Sequence, residues 1–133
     1  MNTAGLTPSQ GRRTVLIVDD EPNNVALIEM AIEDSDLPVD VATARNGAEA
    51  IDRVLALRPA VIFMDLKMPV LDGWEATRRL KADPATAGIP VIALTAQAMR
   101  GDRERALAIG CDDYLPKPID VRQFIALVRE HLT

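Results

Sequence analysis

Val61-Ile62-Phe63-Met64-Asp65-Leu66-Lys67-Met68-Pro69 opens with four apolar residues and stops abruptly at a carboxylate. A strand with no polar alternation has both faces covered. The turn chemistry that follows, through Asp72-Gly73, predicts a strand ending at Asp65, a loop, and a helix from Gly73 to about Lys81. The same grammar recurs on either side. Val15-Leu16-Ile17-Val18 ends in Asp19-Asp20-Glu21-Pro22, and proline suits the first turn of a helix, which Val25, Ile28, Ala31 and Ile32 continue at helical spacing. Val91-Ile92-Ala93-Leu94 ends at Thr95, with a helix expected from about Gln97 to Ile109 and Gly110 as its stop. Two weaker strands complete the pattern: Val39 to Ala44, polar enough for an edge, and the short Asp113-Tyr114-Leu115. Asn46-Gly47 opens a helix with Ala50, Ile51, Val54 and Leu55 on one side. Asp120 caps a last helix expected to turn Val121, Phe124, Ile125, Val128 and Leu132 inward.

Strands alternating with helices imply an α/β fold with a parallel sheet and helices on both faces. The expected architecture is a flavodoxin-like (βα)5 unit with strand order 2-1-3-4-5. The chain has 133 residues, enough for one domain, assigned to 14–133 behind a flexible tail at 1–13. Aromatics are only 3% of the chain, so aliphatic residues must fill the core. The net charge of -5 opposes binding to a phosphate backbone. Cys111 is the single cysteine, which excludes an intrachain disulfide and fits a reducing, cytoplasmic setting; it is expected to be a core filler. His131, the single histidine, reads as a solvated residue at a helix end. No apolar run approaches the ~20 residues of a membrane span, and residues 1–10 lack a signal peptide's apolar stretch.

In an open parallel sheet, sites form at the carboxyl ends of the strands. Here those ends carry Asp19 and Asp20, Asp65, Thr95 and, beyond the fifth strand, Lys117. Taken singly, each has a plain structural reading: a helix start, a turn residue, a helix cap, a solvated loop lysine. Taken together, three carboxylates, a hydroxyl and an ammonium converge on one edge. Close carboxylates raise one another's pKa unless a cation lies among them, and hard oxygen donors suit Mg²⁺. A carboxylate can also attack phosphorus to give an aspartyl phosphate. Its equatorial oxygens then need positive charge and donors, which Mg²⁺, Lys117 and the Thr95 hydroxyl could supply.

Five blocks in order resemble the signature of the CheY-like response regulator receiver domain. They are Val18-Asp19-Asp20-Glu21, Met64 to Pro69, Gly73, Leu94-Thr95-Ala96, and Asp113-Tyr114-Leu115-Pro116-Lys117-Pro118. The stretch from Val91 to Asp120 particularly resembles receivers of hybrid histidine kinases and single-domain cell-cycle regulators. The resemblance implies a phosphoacceptor switch of a two-component system or phosphorelay, not a turnover enzyme. Asp65 would accept a phosphoryl group from a histidine kinase or phosphotransfer protein. Asp19, Asp20, Asp65 and the backbone carbonyl of Lys67 would hold Mg²⁺. Thr95 and Lys117 would bind the phosphoryl group, Thr95 and Tyr114 would form the switch pair, and the Lys117–Pro118 bond would be cis.

Other classes fit less well. Haloacid-dehalogenase phosphatases place a second aspartate two residues after the nucleophile, where this chain has Lys67, and need a cap that 133 residues cannot supply. A flavin binder needs a first loop rich in Ser, Thr or Gly, whereas Asp19-Asp20-Glu21 repels a phosphate. The last helix reaches Thr133, so no DNA-binding domain is expected to follow unless the chain is a receiver excised from a longer hybrid kinase. Output is therefore expected through another protein, at the face of the fourth helix, fifth strand and fifth helix.

Overall fold

The apolar runs form the buried centre of a five-stranded parallel sheet of order β2-β1-β3-β4-β5, as expected. The computed structural model describes residues 13–68, 70–95 and 101–132. In chain order the elements are β1 (Arg13–Val18), α1 (Pro22–Asp34), β2 (Val39–Ala44), α2 (Gly47–Leu57) and β3 (Val61–Asp65). There follow α3 (Gly73–Ala82), β4 (Val91–Thr95), α4 (Asp102–Ala108), β5 (Asp113–Pro116) and α5 (Val121–Leu132). Every residue of β3 and β4 is buried, whereas β2, the edge strand, has a half-exposed middle.

Alternation along the strands divides the core in two. Val15, Ile17, Phe63, Ile92 and Leu94 face α1 and α5, and Phe63 meets Phe124 with ring centroids 4.7 Å apart. Leu16, Val18, Ile62, Met64 and Ala93 face the other way, with Ala50 and Val54 of α2, Ala76 and Leu80 of α3, and Ala106 of α4. Asn46 caps α2 by accepting from the Glu49 backbone N–H at 2.9 Å, and the Asp120 carboxylate accepts from Arg122 and Gln123 at the start of α5.

Several expectations need correction. Arg13 belongs to β1 rather than to the tail: its N–H donates to Pro38 and its guanidinium to the Leu132 carbonyl. The rest of that tail, 1–12, lies outside the described residues. Helix α4 begins at Asp102, because Gly101 sits before it with φ 99, a left-handed conformation outside the helix; residues 96–100, including Gln97, lie outside the described residues. Leu55 is exposed, since the buried stripe of α2 runs through Gly47, Ala50 and Val54 and leaves the next position turned away. On α5 the stripe is Phe124, Leu127 and Val128, so Leu127 takes the place expected of Val121. His131 is half-buried, with its Nε2 closed off from solvent. Cys111 is buried as expected, and burial pushes its thiol pKa up to about 11.

The amino edge of the sheet is closed by Lys81. Its ammonium donates to the carbonyls of Ala87 and Ile89 at 3.1 and 2.8 Å and to the Asp112 carboxylate at 2.9 Å. Asp112 in turn accepts from the Val91 N–H at 2.8 Å, tying the α4–β5 connection to the start of β4. Gly110 turns the chain here with φ 111, and a Cβ at that position would lie 2.8 Å from the stem of Lys81.

Candidate functional site

Parallel pairing places the strand ends side by side. Val18 of β1 is level with Met64 of β3, and Asp65 is level with Leu94 of β4. The residues just past those ends therefore meet across the edge. Asp19 continues the β1 ladder by donating its N–H to Ala44, then accepts from the Glu21 N–H at 2.9 Å, which fixes its carboxylate toward β3. Asp65 accepts from the Lys67 N–H at 3.1 Å. Carboxylate oxygens of Asp19, Asp20 and Asp65 all lie within 4.8 Å of one another. Asp19 and Asp65 are buried; Asp20 is exposed.

Lys117 arrives from β5 through a ladder bond, its N–H donating to the Thr95 carbonyl at 2.7 Å. Its Nζ lies 3.1 Å from both Asp19 and Asp65. The Lys117–Pro118 bond is cis, as the resemblance implied. Asp65, Lys117, Asp20 and Thr95 line an open cleft of about 270 Å³, together with Glu21, Leu66 and Lys67. The structure thus brings together Asp19, Asp20, Asp65, Lys67, Thr95 and Lys117. Tyr114 stands apart on β5, half-buried in the second core layer and level with Ala93. Alternation puts Ala93 and Thr95 on one face of β4, so Tyr114 and Thr95 share the α4 side of the sheet.

The electrostatics follow from crowding. Burial raises the Asp65 pKa, and Asp19 adds to that; the Lys67 N–H and the Lys117 charge pull the other way but do not cancel it. For Lys117 burial works against the charged form, but the hydrogen bond to Asp19 and the charges of Asp65 and Asp19 prevail and hold its pKa above the ordinary lysine value. One ammonium serves an excess of acids, because Glu21 also approaches it at 3.5 Å. Such a set of hard oxygen donors with surplus negative charge fits a divalent cation such as Mg²⁺.

Sequence reasoning misses two contributors. Glu21 reads there as part of a helix start, and Asn24 does not stand out. The Asn24 amide donates to Asp19 at 3.4 Å and to Glu21 at 3.1 Å, bracing the first-strand acids from the first turn of α1. The available signal is helical: Asn24 follows Glu21 by three residues. The role of Gly73 is also sharper than a helix-start glycine. Its N–H donates to Leu66, and a Cβ there would lie 2.0 Å from the carbonyl oxygen of Asp65.

Comparison with known proteins agrees with this geometry. Residues 15–129 match the response regulator receiver domain family. The polar-differentiation response regulator DivK of Brucella anthropi is 42% identical over 120 residues, covering 90% of this chain and 96% of that protein. Among solved structures, the receiver domain of a sensor histidine kinase from Pseudomonas aeruginosa, with magnesium coordinated in its active-site cleft, is 35% identical. It superposes with a TM-score of 0.80, covering 91% of this chain and 98% of that one. The signal receiver domain of a histidine kinase from Syntrophus aciditrophicus is 32% identical at a TM-score of 0.80, covering 90% and 89%.

Proposed function

The chain belongs to the response regulator receiver domain family, and from that premise we propose how its residues divide the work. It is a phosphoacceptor domain of two-component signalling rather than an enzyme that turns over an external substrate. Asp65 is the acceptor. The observation that carries this assignment is its carboxylate, buried at the end of the otherwise apolar β3 yet lining the cleft, with the Lys117 ammonium 3.1 Å away. The donor is a phosphohistidine on a histidine kinase or phosphotransfer protein. An Asp65 oxygen attacks phosphorus, the P–N bond breaks, and the imidazole nitrogen keeps the electron pair. Lys117, already against that oxygen, offsets the charge gathering on the phosphoryl group.

Asp19, Asp20, Asp65 and the backbone carbonyl of Lys67 would hold Mg²⁺. Bound there, the ion supplies positive charge to the phosphoryl oxygens. Asn24 braces Asp19 and Glu21, and Gly73 lets the acceptor loop lie against the strand end. The Thr95 hydroxyl donates to a phosphoryl oxygen, which draws the end of β4 toward Asp65. Tyr114, on the same sheet face, takes up the space vacated. The altered surface is that of α4, β5 and α5, where an output protein binds.

Incubation with acetyl phosphate and Mg²⁺, followed by intact mass, is expected to add one phosphoryl group to the wild type and none to Asp65→Asn. Equal labelling of the two would remove Asp65 from the role. Thr95→Ala is expected to keep the label while losing the label-dependent amide shifts at Arg103–Ala108 and Tyr114.

A further inference from the structure

Helix α4 is loosely held. Of its side chains from Arg103 to Ala108, only Ala106 is buried, and alanine offers little surface to anchor a helix. Toward α3 the structure is open: a cleft of about 510 Å³ separates the two helices, lined by Glu75, Arg78, Arg79, Ala82, Ala108 and Ile109. A side-chain contact bridges them at the end nearer the acceptor. Arg105 of α4 lies over the ring of Trp74 with its guanidinium carbon 4.4 Å from the centroid. Trp74 directly follows Gly73, whose backbone is pressed against the Asp65 carbonyl.

We propose that Arg105 and Trp74 are positioning residues that latch α4 to the acceptor strand in the arrangement where Lys117 pairs with the Asp65 carboxylate. The inference rests on the phosphoacceptor reading given above and adds to it a contact outside the Thr95–Tyr114 pair. A cation–π contact at an exposed site is worth about two- to fivefold in an equilibrium constant. On a helix anchored by several large buried side chains, an effect of that size would be swamped by the burial of apolar surface. On a helix that buries one alanine among its described side chains, it is a leading contribution to where the helix rests. Trp74 is rigidly placed, because its neighbours Gly73 and Ala76 are buried and its ring packs on the second core layer. The latch therefore has a fixed part on α3 and a movable part on α4. Releasing it makes the shift of α4 easier, and phosphorylation-dependent change is reached with less driving force.

Beryllofluoride with Mg²⁺ is the probe, titrated while α4 amides are followed by NMR. Trp74 is the only tryptophan, so its fluorescence reports the contact directly in variants that keep it. Arg105→Ala and Arg105→Gln are expected to alter the emission before any addition and to lower the titration midpoint about two- to fivefold. Trp74→Leu is expected to lower the midpoint equally, and Trp74→Phe, which keeps an aromatic face, to stay close to wild type. Thermal melts of the Arg105 variants should fall only slightly below wild type, by the weight of the one lost contact, since that side chain is otherwise exposed. Midpoints equal to wild type in both Arg105 variants overturn the latch and leave the phosphoacceptor reading standing. A shift in Trp74→Leu without one in Arg105→Ala also overturns it, by assigning the effect to ring packing. If wild type and Asp65→Asn respond identically to the probe, the phosphoacceptor reading itself falls and takes the latch with it.

Discussion

Lys81 and Lys117 stand at opposite ends of the same sheet, and they are used in opposite ways. Lys81 has three N–H donors and three acceptors, the carbonyls of Ala87 and Ile89 and the Asp112 carboxylate, so its hydrogen bonding is complete. Only one acceptor is charged, and the group is electrically balanced. Lys117 is shared by Asp19, Asp65 and Glu21, with Asp20 beside them. That end is left negative and able to take a further cation, then an anionic group balanced by both. The lesson concerns stoichiometry: the same ion-pair chemistry makes a fastening where charges match and a site where they do not.

The contrast can be broken most forcefully at the glycines. Gly73→Ala puts a Cβ 2.0 Å from the Asp65 carbonyl oxygen, so the backbone of the acceptor loop must move. The expected loss is about 3 kcal/mol in urea unfolding, together with phosphoryl labelling from acetyl phosphate. Gly110→Ala, at the other end, meets the flexible stem of Lys81 at φ 111 and is expected to lose about 1–2 kcal/mol while labelling persists. Labelling by a folded Gly73→Ala protein at the wild-type rate would contradict the close approach.

Removing the lysines tests the stoichiometry itself. Lys117→Met leaves Asp19 and Asp65 buried without their cation, an expected loss of about 3 kcal/mol in EDTA, much of it recovered when Mg²⁺ is added. Lys81→Met is expected to lose about 1–2 kcal/mol, by leaving the Ala87 and Ile89 carbonyls without their donor, with no recovery in Mg²⁺. Paired urea titrations with and without metal read both; equal metal dependence would erase the distinction between the two ends.

Smaller effects sharpen it. Asp20 is the exposed member of the acid cluster, whereas Asp19 is bound by Lys117, the Glu21 N–H and Asn24. Asp20→Asn therefore relieves repulsion at little cost in bonds, with an expected gain of about 0.5–1 kcal/mol without metal and weaker Mg²⁺ binding by calorimetry. Val70, in the loop after the acceptor, holds φ 71 with its side chain almost fully exposed, a conformation unfavourable for a β-branched residue. Val70→Asn is expected to raise stability by about 0.5 kcal/mol, measured as a shift in the urea midpoint. No gain would mean the loop conformation is not one that Val70 strains.

The carboxyl edge was legible because apolar runs buried on both faces stop at the residues that matter. Val18 to Asp19, Met64 to Asp65 and Leu94 to Thr95 are changes of polarity that also mark strand ends. Helical phase was harder to read. Leu55 and Val121 are as apolar as their buried neighbours, and one step along a helix, about 100°, carries a side chain from core to solvent. The start of α4 depended on Gly101 adopting a left-handed conformation, which glycine permits without demanding. The Arg105–Trp74 and Lys117–Glu21 contacts were beyond sequence reasoning, since each depends on how two separately folded elements come to lie together.

The strand order also sets a timetable. The ribosome delivers Asp19, Asp20 and Asp65 first, and because β1 and β3 are neighbours these acids are brought together once β3 pairs. The ammonium that partly offsets them follows 52 residues after Asp65, just beyond β5. A nascent chain therefore assembles its repulsion before its relief, and pairing of β5 brings the last strand of the sheet and the offsetting ammonium together. Assembly of the site is thereby tied to synthesis through β5: a chain cut short before that strand lacks both the edge of its sheet and the ammonium that pairs with Asp65.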